Sequence, residues 1–245
     1  MNCQPWLKAL VYNCTNTNHA CLLCSEPAEQ RYPLCVACEQ ELPWLDEHCL
    51  RCALPLPMAG LTCGQCSRRP PAFDQVVAPW HYGFPLDTLI SRFKHNSQWP
   101  LGRLMAEMLA LNVHHRYQEG LPRPDLLLPV PLARRRLRER GFNQAGMLGR
   151  WLSKALVIEC DERQLLRTRE TPAQQSLDAR ARRRNLRQAF ALASEPSLKG
   201  CHIAVVDDVL TTGATTQAIA QLLRQAGARR IDVYCLARTA KPGQA

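Results

Sequence analysis

The stretch 205–216, Val-Val-Asp-Asp-Val-Leu-Thr-Thr-Gly-Ala-Thr-Thr, sets two acids against a run of hydroxyls around one glycine. An apolar strand, Ile203 to Val206, leads into the acids, and a helix with apolar Ala218, Ile219, Leu222 and Leu223 follows. Strand, loop and helix N-terminus make an anion site, because the first helical amides lack intrahelical acceptors and the peptide dipoles favour a phosphate there. Gly213 lets the loop Thr211-Thr212-Gly213-Ala214-Thr215 approach a ligand closely, and the hydroxyls of Thr211, Thr212, Thr215 and Thr216 add donors. Asp207 and Asp208 repel a phosphate but accept hydrogen bonds or hold a hard cation. Acids at one end and amides at the other describe a ribose 5-phosphate, with hydroxyls on the carboxylates and phosphate in the loop. The blander alternative, a core strand, solvated turn aspartates and a Thr-capped helix, accounts for the pieces but not their combination. No Gly-Lys-Ser/Thr follows the glycine, which excludes a Walker A loop.

A second chemistry lies near the other end. Four Cys-x-x-Cys pairs, Cys21/Cys24, Cys35/Cys38, Cys49/Cys52 and Cys63/Cys66, begin 14 residues apart. Each pair places two thiolates on one metal, so eight cysteines in this rhythm fit two tetrahedral Zn2+ sites. Iron–sulfur clusters and redox dithiols also take thiolates, but the pattern favours zinc. The spacing admits sequential ribbons or an interleaved cross-brace; Pro33, Pro43, Pro55 and Pro57 favour two stacked ribbons. Four protein thiolates leave no open coordination position, so the zinc is structural, and the apolar-poor segment should fold only with metal. His48, beside Cys49, reads as a surface residue rather than a ligand. Cys3, Cys14, Cys160, Cys201 and Cys235 read as ordinary thiols, the last two buried in strands.

The elements that must position these groups follow from periodicity. Val76 to Tyr82, the apolar run Leu126 to Val130, residues 201–206 and Ile231 to Ala237 read as strands. Leu86 to Phe93, Leu101 to Leu111, Gln144 to Leu156 and the segment up to Ala226 read as helices. Alternation of wholly apolar strands with helices predicts an α/β fold with a parallel sheet, whose ligand sites lie at the carboxyl ends of strands. The Asp-Asp-Thr loop sits at such an end. The expected organisation is an extension at 1–18, a double zinc ribbon at 19–67, a Pro/Arg-rich linker at 68–72 and the sheet domain at 73–245. No run reaches the roughly 18 apolar residues of a membrane span, and the first residues lack signal-peptide order. A cytoplasmic protein that does not span a membrane is therefore expected.

Charge is local. Residues 134–187 carry 15 Arg or Lys against 6 Asp or Glu, a net of +9 within the chain's +10. Arg134, Arg135, Arg136, Arg138 and Arg140 form one cluster, and Arg180, Arg182, Arg183, Arg184 and Arg187 another. Arginine suits bidentate phosphate contacts, and this surplus leaves few acids for pairing, so a polyanion such as nucleic acid is favoured over a solvated helix face. With only Phe142 and Trp151 inside the segment, no base-stacking platform is evident. Lys94, ending an apolar helix pattern, reaches the cleft or lies along the surface; the pattern fits both.

The Asp-Asp-Thr loop resembles the phosphoribosyl pyrophosphate (PRPP) signature of type I phosphoribosyltransferases, in which the acids contact ribose hydroxyls and the loop wraps the 5-phosphate. A wider resemblance joins the cysteine pairs to Pro-Val-Pro-Leu at 129–132 and Arg-Gly-Phe-Asn-Gln at 140–144. It continues through Thr171-x-x-Gln174-x-x-Leu177, Arg180 and Arg184-Asn185 to the loop itself. That order is similar to the ComF/GntX family, over about 20 to 240. The resemblance implies a double zinc ribbon on a type I phosphoribosyltransferase-like domain, and a competence or DNA-utilisation protein handling incoming single-stranded DNA. It implies a pyrophosphate loop at Pro131 to Arg136, with Arg134, Arg135, Arg136, Arg140, Asn143 and Gln144 in the cleft. A mobile substrate loop carrying Gln174, Arg180, Arg184 and Asn185 is also implied. Two alternatives stand beside this reading. One is an active transferase using Mg2+ and PRPP on an unknown acceptor. The other is a ribbon adaptor for DNA-processing partners such as a helicase or recombination mediator. No stretch selects a purine or pyrimidine, and such a site can persist without turnover.

Overall fold

The computed structural model describes residues 19–168, 189–193 and 198–240. The chain divides into two compact units between Leu42 and Pro43.

Each unit contains one ribbon, and the two ribbons repeat the same backbone bonds 28 positions apart. In the first, β1 (His19–Ala20) pairs antiparallel with β2 (Pro27–Ala28). Cys21 N donates to Glu26 O at 2.7 Å, Ser25 N to Cys21 O at 2.9 Å, and Leu22 N to Pro33 O at 3.0 Å. Helix α1 (Val36–Gln40) then starts from Cys35. In the second, Cys49 N donates to Leu54 O at 2.8 Å, Ala53 N to Cys49 O at 2.9 Å, and Leu50 N to Leu61 O at 3.0 Å. Helix α2 (Gly64–Arg68) starts from Cys63. Ser25 and Ala53, at matching positions, both take positive φ, 67° and 51°, to close the knuckle. The structure brings the sulfurs together as Cys21/Cys24/Cys35/Cys38 and Cys49/Cys52/Cys63/Cys66, each set within 4.8 Å, so the pairing is sequential.

The second ribbon is built into the larger unit. Leu45 N donates to Pro79 O at 2.8 Å, His81 N to Pro43 O at 2.7 Å, and Trp44 packs on the fully buried Trp80 at 5.5 Å between ring centroids. Leu45 and Ala53 join the same apolar cluster as Phe73, Val76, Ile203 and Ile219.

That cluster lies under a parallel sheet. In chain order its strands are β3 (Gln75–Val77), β4 (Trp80–His81), β5 (Leu126–Pro129), β6 (Glu159–Cys160), β9 (His202–Leu210) and β10 (Arg230–Arg238). The spatial order is β3-β10-β9-β5-β6, with β4 also on β10. A separate antiparallel pair joins β7 (Leu165–Arg167) to β8 (Phe190–Leu192). Alternation decides the faces. Ile203, Val205, Ile231, Val233 and Cys235 enter the cluster with Ala218, Ile219 and Leu223 of α7 (Ala214–Gln225). Tyr234 faces the other way, its hydroxyl 3.1 Å from that of Tyr117 on α4 (Trp99–Gln118). Both faces are covered, which is why these strands are almost wholly apolar.

Helix α3 (Leu86–His95) buries Leu86, Leu89, Ile90 and Phe93 at helical spacing. Helix α6 (Gln144–Leu156) buries Ala145, Leu148, Leu152 and Leu156. A Cβ on Gly149 would stand 2.6 Å from Pro129 Cγ, so that glycine lets α6 lie flush on the end of β5. Differences from expectation have local causes. The strand expected over 76–82 splits at Pro79, which lacks a ladder N–H. The strand expected over 201–206 runs on through both acids to Leu210. A short helix α5 (Arg134–Arg140), without a buried face, occupies the first arginine cluster. Cys235 is buried as expected, whereas Cys201 is only half-buried. Among the described residues no helix is long and apolar enough to cross a membrane.

Candidate phosphoribosyl site and adjoining arginine cleft

Strand β5 ends beside β9, with Pro129 opposite Val206 and Val130 N donating to Val206 O at 2.9 Å, while β9 runs on. The segment Pro131 to Arg134 therefore leaves the sheet next to Asp207 and Asp208. Both acids curl onto the following amide: Asp208 N donates to Asp207 Oδ1 at 2.9 Å and Val209 N to Asp208 Oδ1 at 2.6 Å. Asp208 also receives Lys94 Nζ at 2.8 Å, so the lysine at the end of α3 reaches the cleft. Burial away from water, with the Asp208 carboxylate alongside, pushes Asp207 up to about 7. Lys94 and Arg167 partly oppose that rise.

The loop 211–213 delivers α7 to the same end of the sheet. Gly213 caps the helix at φ 72°, where an added Cβ would meet nothing closer than 3.7 Å. Its left-handed backbone, rather than crowding, is what requires glycine. The amides of Gly213, Thr215 and Thr216 have no acceptor among the described residues, the condition for an anion at a helix start. Thr211 and Thr212 are exposed and Thr215 half-buried. The Thr216 side chain is buried, and its hydroxyl is taken by Gly213 O at 3.0 Å, so of this residue only the amide faces the anion site. Ala214 contributes its backbone, with N donating to Thr212 Oγ1 at 3.4 Å.

Arg238, on β10, holds this loop from beneath and was not singled out in the sequence. Its side chain is buried, donating from Nη1 to Leu210 O at 3.0 Å, to Thr239 O at 2.7 Å and to Thr211 O. From Nε it donates to Cys52 O at 2.9 Å, inside the second metal knuckle. One guanidinium thus joins the loop to a cysteine ligand 186 positions away.

An open cleft of about 860 Å³ lies next to the acids, not over the threonine loop. Arg134, Phe142, Asn143, Arg150, Glu162 and Arg167 contribute to its walls. Asn143 Nδ2 donates to Val130 O at 3.1 Å, tying the Gly141-Phe142-Asn143 turn to the end of β5. Gln144 is buried instead, its Oε1 accepting from Arg140 Nη1 at 3.1 Å. On α5, Arg135 pairs with Glu139 at 2.8 Å. Arg134, Arg136 and Arg138 are exposed and make no ion pair among the described residues. Gln174, Arg180, Arg184 and Asn185 lie outside the described residues.

Both cysteine sets fit zinc. A tetrahedron with Zn–S of about 2.3 Å has edges of about 3.8 Å. Cys24 and Cys35 sulfurs are 3.6 Å apart, and Cys52 and Cys63 sulfurs 3.7 Å. Backbone amides also aim at the sulfurs, Leu23 N at Cys21 Sγ (3.4 Å) and Cys63 N at Cys49 Sγ (3.2 Å). Burial opposes ionisation of Cys21 and Cys49, but the amides of Cys35, Cys24 and Leu23 around the first and of Cys63, Cys52 and Arg51 around the second outweigh it, lowering them to about 6 and about 7. His48 is no ligand; its Nδ1 lies 3.0 Å from Asp46 O.

Comparison with known proteins agrees with this arrangement. The Double zinc ribbon domain family matches residues 17–67, and the Phosphoribosyl transferase domain family matches 162–244. The chain is similar to DNA utilization protein YhgH of Escherichia coli O157:H7, at 39% identity over 221 residues, covering 89% of this chain and 96% of that protein. Competence protein F of Haemophilus influenzae is 37% identical over 207 residues, covering 84% and 90%. Competence protein ComFC of Streptococcus pneumoniae is 29% identical over 159 residues, covering 64% and 65%.

Proposed function

Because the chain belongs to the ComF family of DNA utilization protein YhgH and Competence protein F, with a double zinc ribbon and a phosphoribosyltransferase domain, we propose that it handles incoming single-stranded DNA in the cytoplasm. The phosphoribosyl-type site and the arginine helix act together. The observation that carries the reading is the helix α5, which puts Arg134, Arg136 and Arg138 in solvent, without acid partners among the described residues, directly after Pro131-Leu132-Ala133. An exposed helix with five arginines and a single acid, Glu139, which is taken by Arg135, recruits phosphates. Gly213, Thr215 and Thr216 amides supply a second anion site at the same end of the sheet, with Asp207 and Asp208 for sugar hydroxyls or, through Mg2+, for PRPP.

The test is a strand-affinity titration against salt. Each phosphate neutralised contributes about −0.7 to the slope of log affinity against log salt for single strands. With α5 engaged, charge-removing substitution of Arg134, Arg136 and Arg138 together flattens the slope by about 2. A flat salt response in the parent protein removes the proposal. A transferase reading has its own support in the acid pair beside the loop. Pyrophosphate release from Mg2+ and PRPP in the presence of DNA or another acceptor would establish it. An adaptor role for the ribbons is tested by capture of helicase or recombination-mediator partners with and without residues 1–42.

A further inference from the structure

The sequence offers no base-stacking platform, yet the fold assembles one from three distant segments. Phe142, half-buried, lines the cleft. Behind it stands fully buried Phe93 of α3, with ring centroids 5.6 Å apart at 45°, and Phe93 in turn packs on Trp151 of α6 at 6.0 Å. Trp99, at the start of α4 and 52% exposed, meets Phe142 edge-on at 6.3 Å and 75°. The Phe142 ring is therefore held in place by aromatic neighbours and the Asn143 tie, so little entropy is lost when a flat group lies on it.

The rest of the cleft suits the same occupant. Pro131, Leu132, Leu137, Leu165 and Leu166 make apolar walls, with Leu137 and Leu166 each 41% exposed. Arg134 stands at the wall without an acid partner among the described residues. The one acid among the described lining residues, Glu162, is neutralised by Arg150 Nη1, which meets its two oxygens at 2.5 and 2.6 Å. Arg167 lies over the Phe190 ring at 5.6 Å and is near enough to Asp207 to favour its ionised form, so the cleft abuts the acid end of the sugar site. Apolar walls, a fixed aromatic ring and the exposed Arg134 match a nucleobase bearing a phosphate.

We propose that this cleft seats one nucleobase of a DNA single strand on Phe142, its neighbouring phosphate on Arg134 and its next base against Trp99. The proposal rests on the strand-handling reading above, and the experiment separates the two. Affinity is measured by fluorescence anisotropy for an intact oligonucleotide and for an abasic strand of equal length, with the full-length protein and with Phe142→Leu and Phe142→Trp. Base–aromatic stacking should make the intact strand bind about 5- to 150-fold more tightly than the abasic one. Phe142→Leu should cut that preference sharply, leaving only the share due to Trp99, with abasic-strand affinity unchanged, which also shows that the variant is folded. Phe142→Trp should keep it. Equal binding of intact and abasic strands by the parent protein overturns the stacking site but leaves phosphate-driven binding standing. Phe142→Leu weakening both strands alike reduces the ring to a packing role and overturns it too. Displacement of the strand by an equimolar nucleoside monophosphate would assign the cleft to a free nucleotide instead. Absence of any strand binding removes the parent reading itself.

Discussion

Replacing Arg238 with leucine removes five hydrogen bonds at once, the weakest a 3.4 Å bond to Thr239 Oγ1, and their environments set the cost. Leu210 O keeps the amide of Thr239 at 3.1 Å, and Thr211 is exposed, so water replaces the arginine there. Cys52 O and Thr239 O, on half-buried residues, lose a charged donor without a substitute. A hydrogen bond from a charged group contributes about 1.5–3 kcal/mol, so two unreplaced ones cost about 3–6 kcal/mol. At about 2–4 °C per kcal/mol for a unit of this size, the unfolding midpoint should fall by about 6–24 °C. The distinguishing readout is metal. Because Cys52 belongs to the second cysteine set, a chromophoric chelator should take one of two zinc ions earlier than from the parent protein, with the other released at the parental rate. Arg238→Lys, a point donor unable to span both sides, should fall between. A leucine variant that melts within about 1 °C of the parent, with both zinc ions released at parental rates, would refute the coupling.

Four further outcomes are expected. Asp207 titrates near 7 in the folded chain, above its ordinary 3.8, so the native state holds a proton that the unfolded chain lacks across that window. Stability should therefore decline as pH rises through it, and calorimetric binding of PRPP with Mg2+ should tighten up to about tenfold per unit towards pH 7; an Asp207→Asn variant with the parental pH profile contradicts this. Lys94→Met removes a cation that favours the ionised pair, so the midpoint of that profile should move upward. Gly213→Ala imposes a left-handed backbone cost of about 1–2 kcal/mol without a clash, and should weaken PRPP or phosphate more than it lowers melting. Elemental analysis should give two zinc ions per chain, and their chelation should unfold both ribbons, seen as loss of protection at the amides of Cys21 and Cys49.

The sheet and the loop were readable in the chain because their signals are local. Four apolar runs mark β3–β4, β5, β9 and β10, and the acid, hydroxyl and glycine types of 207–215 name a ligand without reference to anything distant. The bounds of α6, Gln144 to Leu156, match those expected, since the apolar spacing there is regular. Helix α5 carried no such signal, because seven residues with five arginines have no apolar period to detect. Lys94 meets Asp208 across 114 positions, and Arg238 meets Cys52 across 186; no local rule pairs them. Phe142 looked isolated for the same reason, its neighbours Phe93 and Trp99 coming from before the basic segment. The docking of the second ribbon was hidden too, since Trp44 and Leu45 sit in a Pro- and Cys-rich stretch that reads as self-contained.

The twin ribbons carry a practical lesson for anyone trimming this gene. A cut placed at the arginine-proline stretch after Cys66 would leave Trp80 bare and Pro79 O without its amide, and would strip Arg238 of one acceptor. A cut between Leu42 and Pro43 spares all three, so only the leading copy is the separable handle, and its twin has become a foundation stone of the catalytic-type fold.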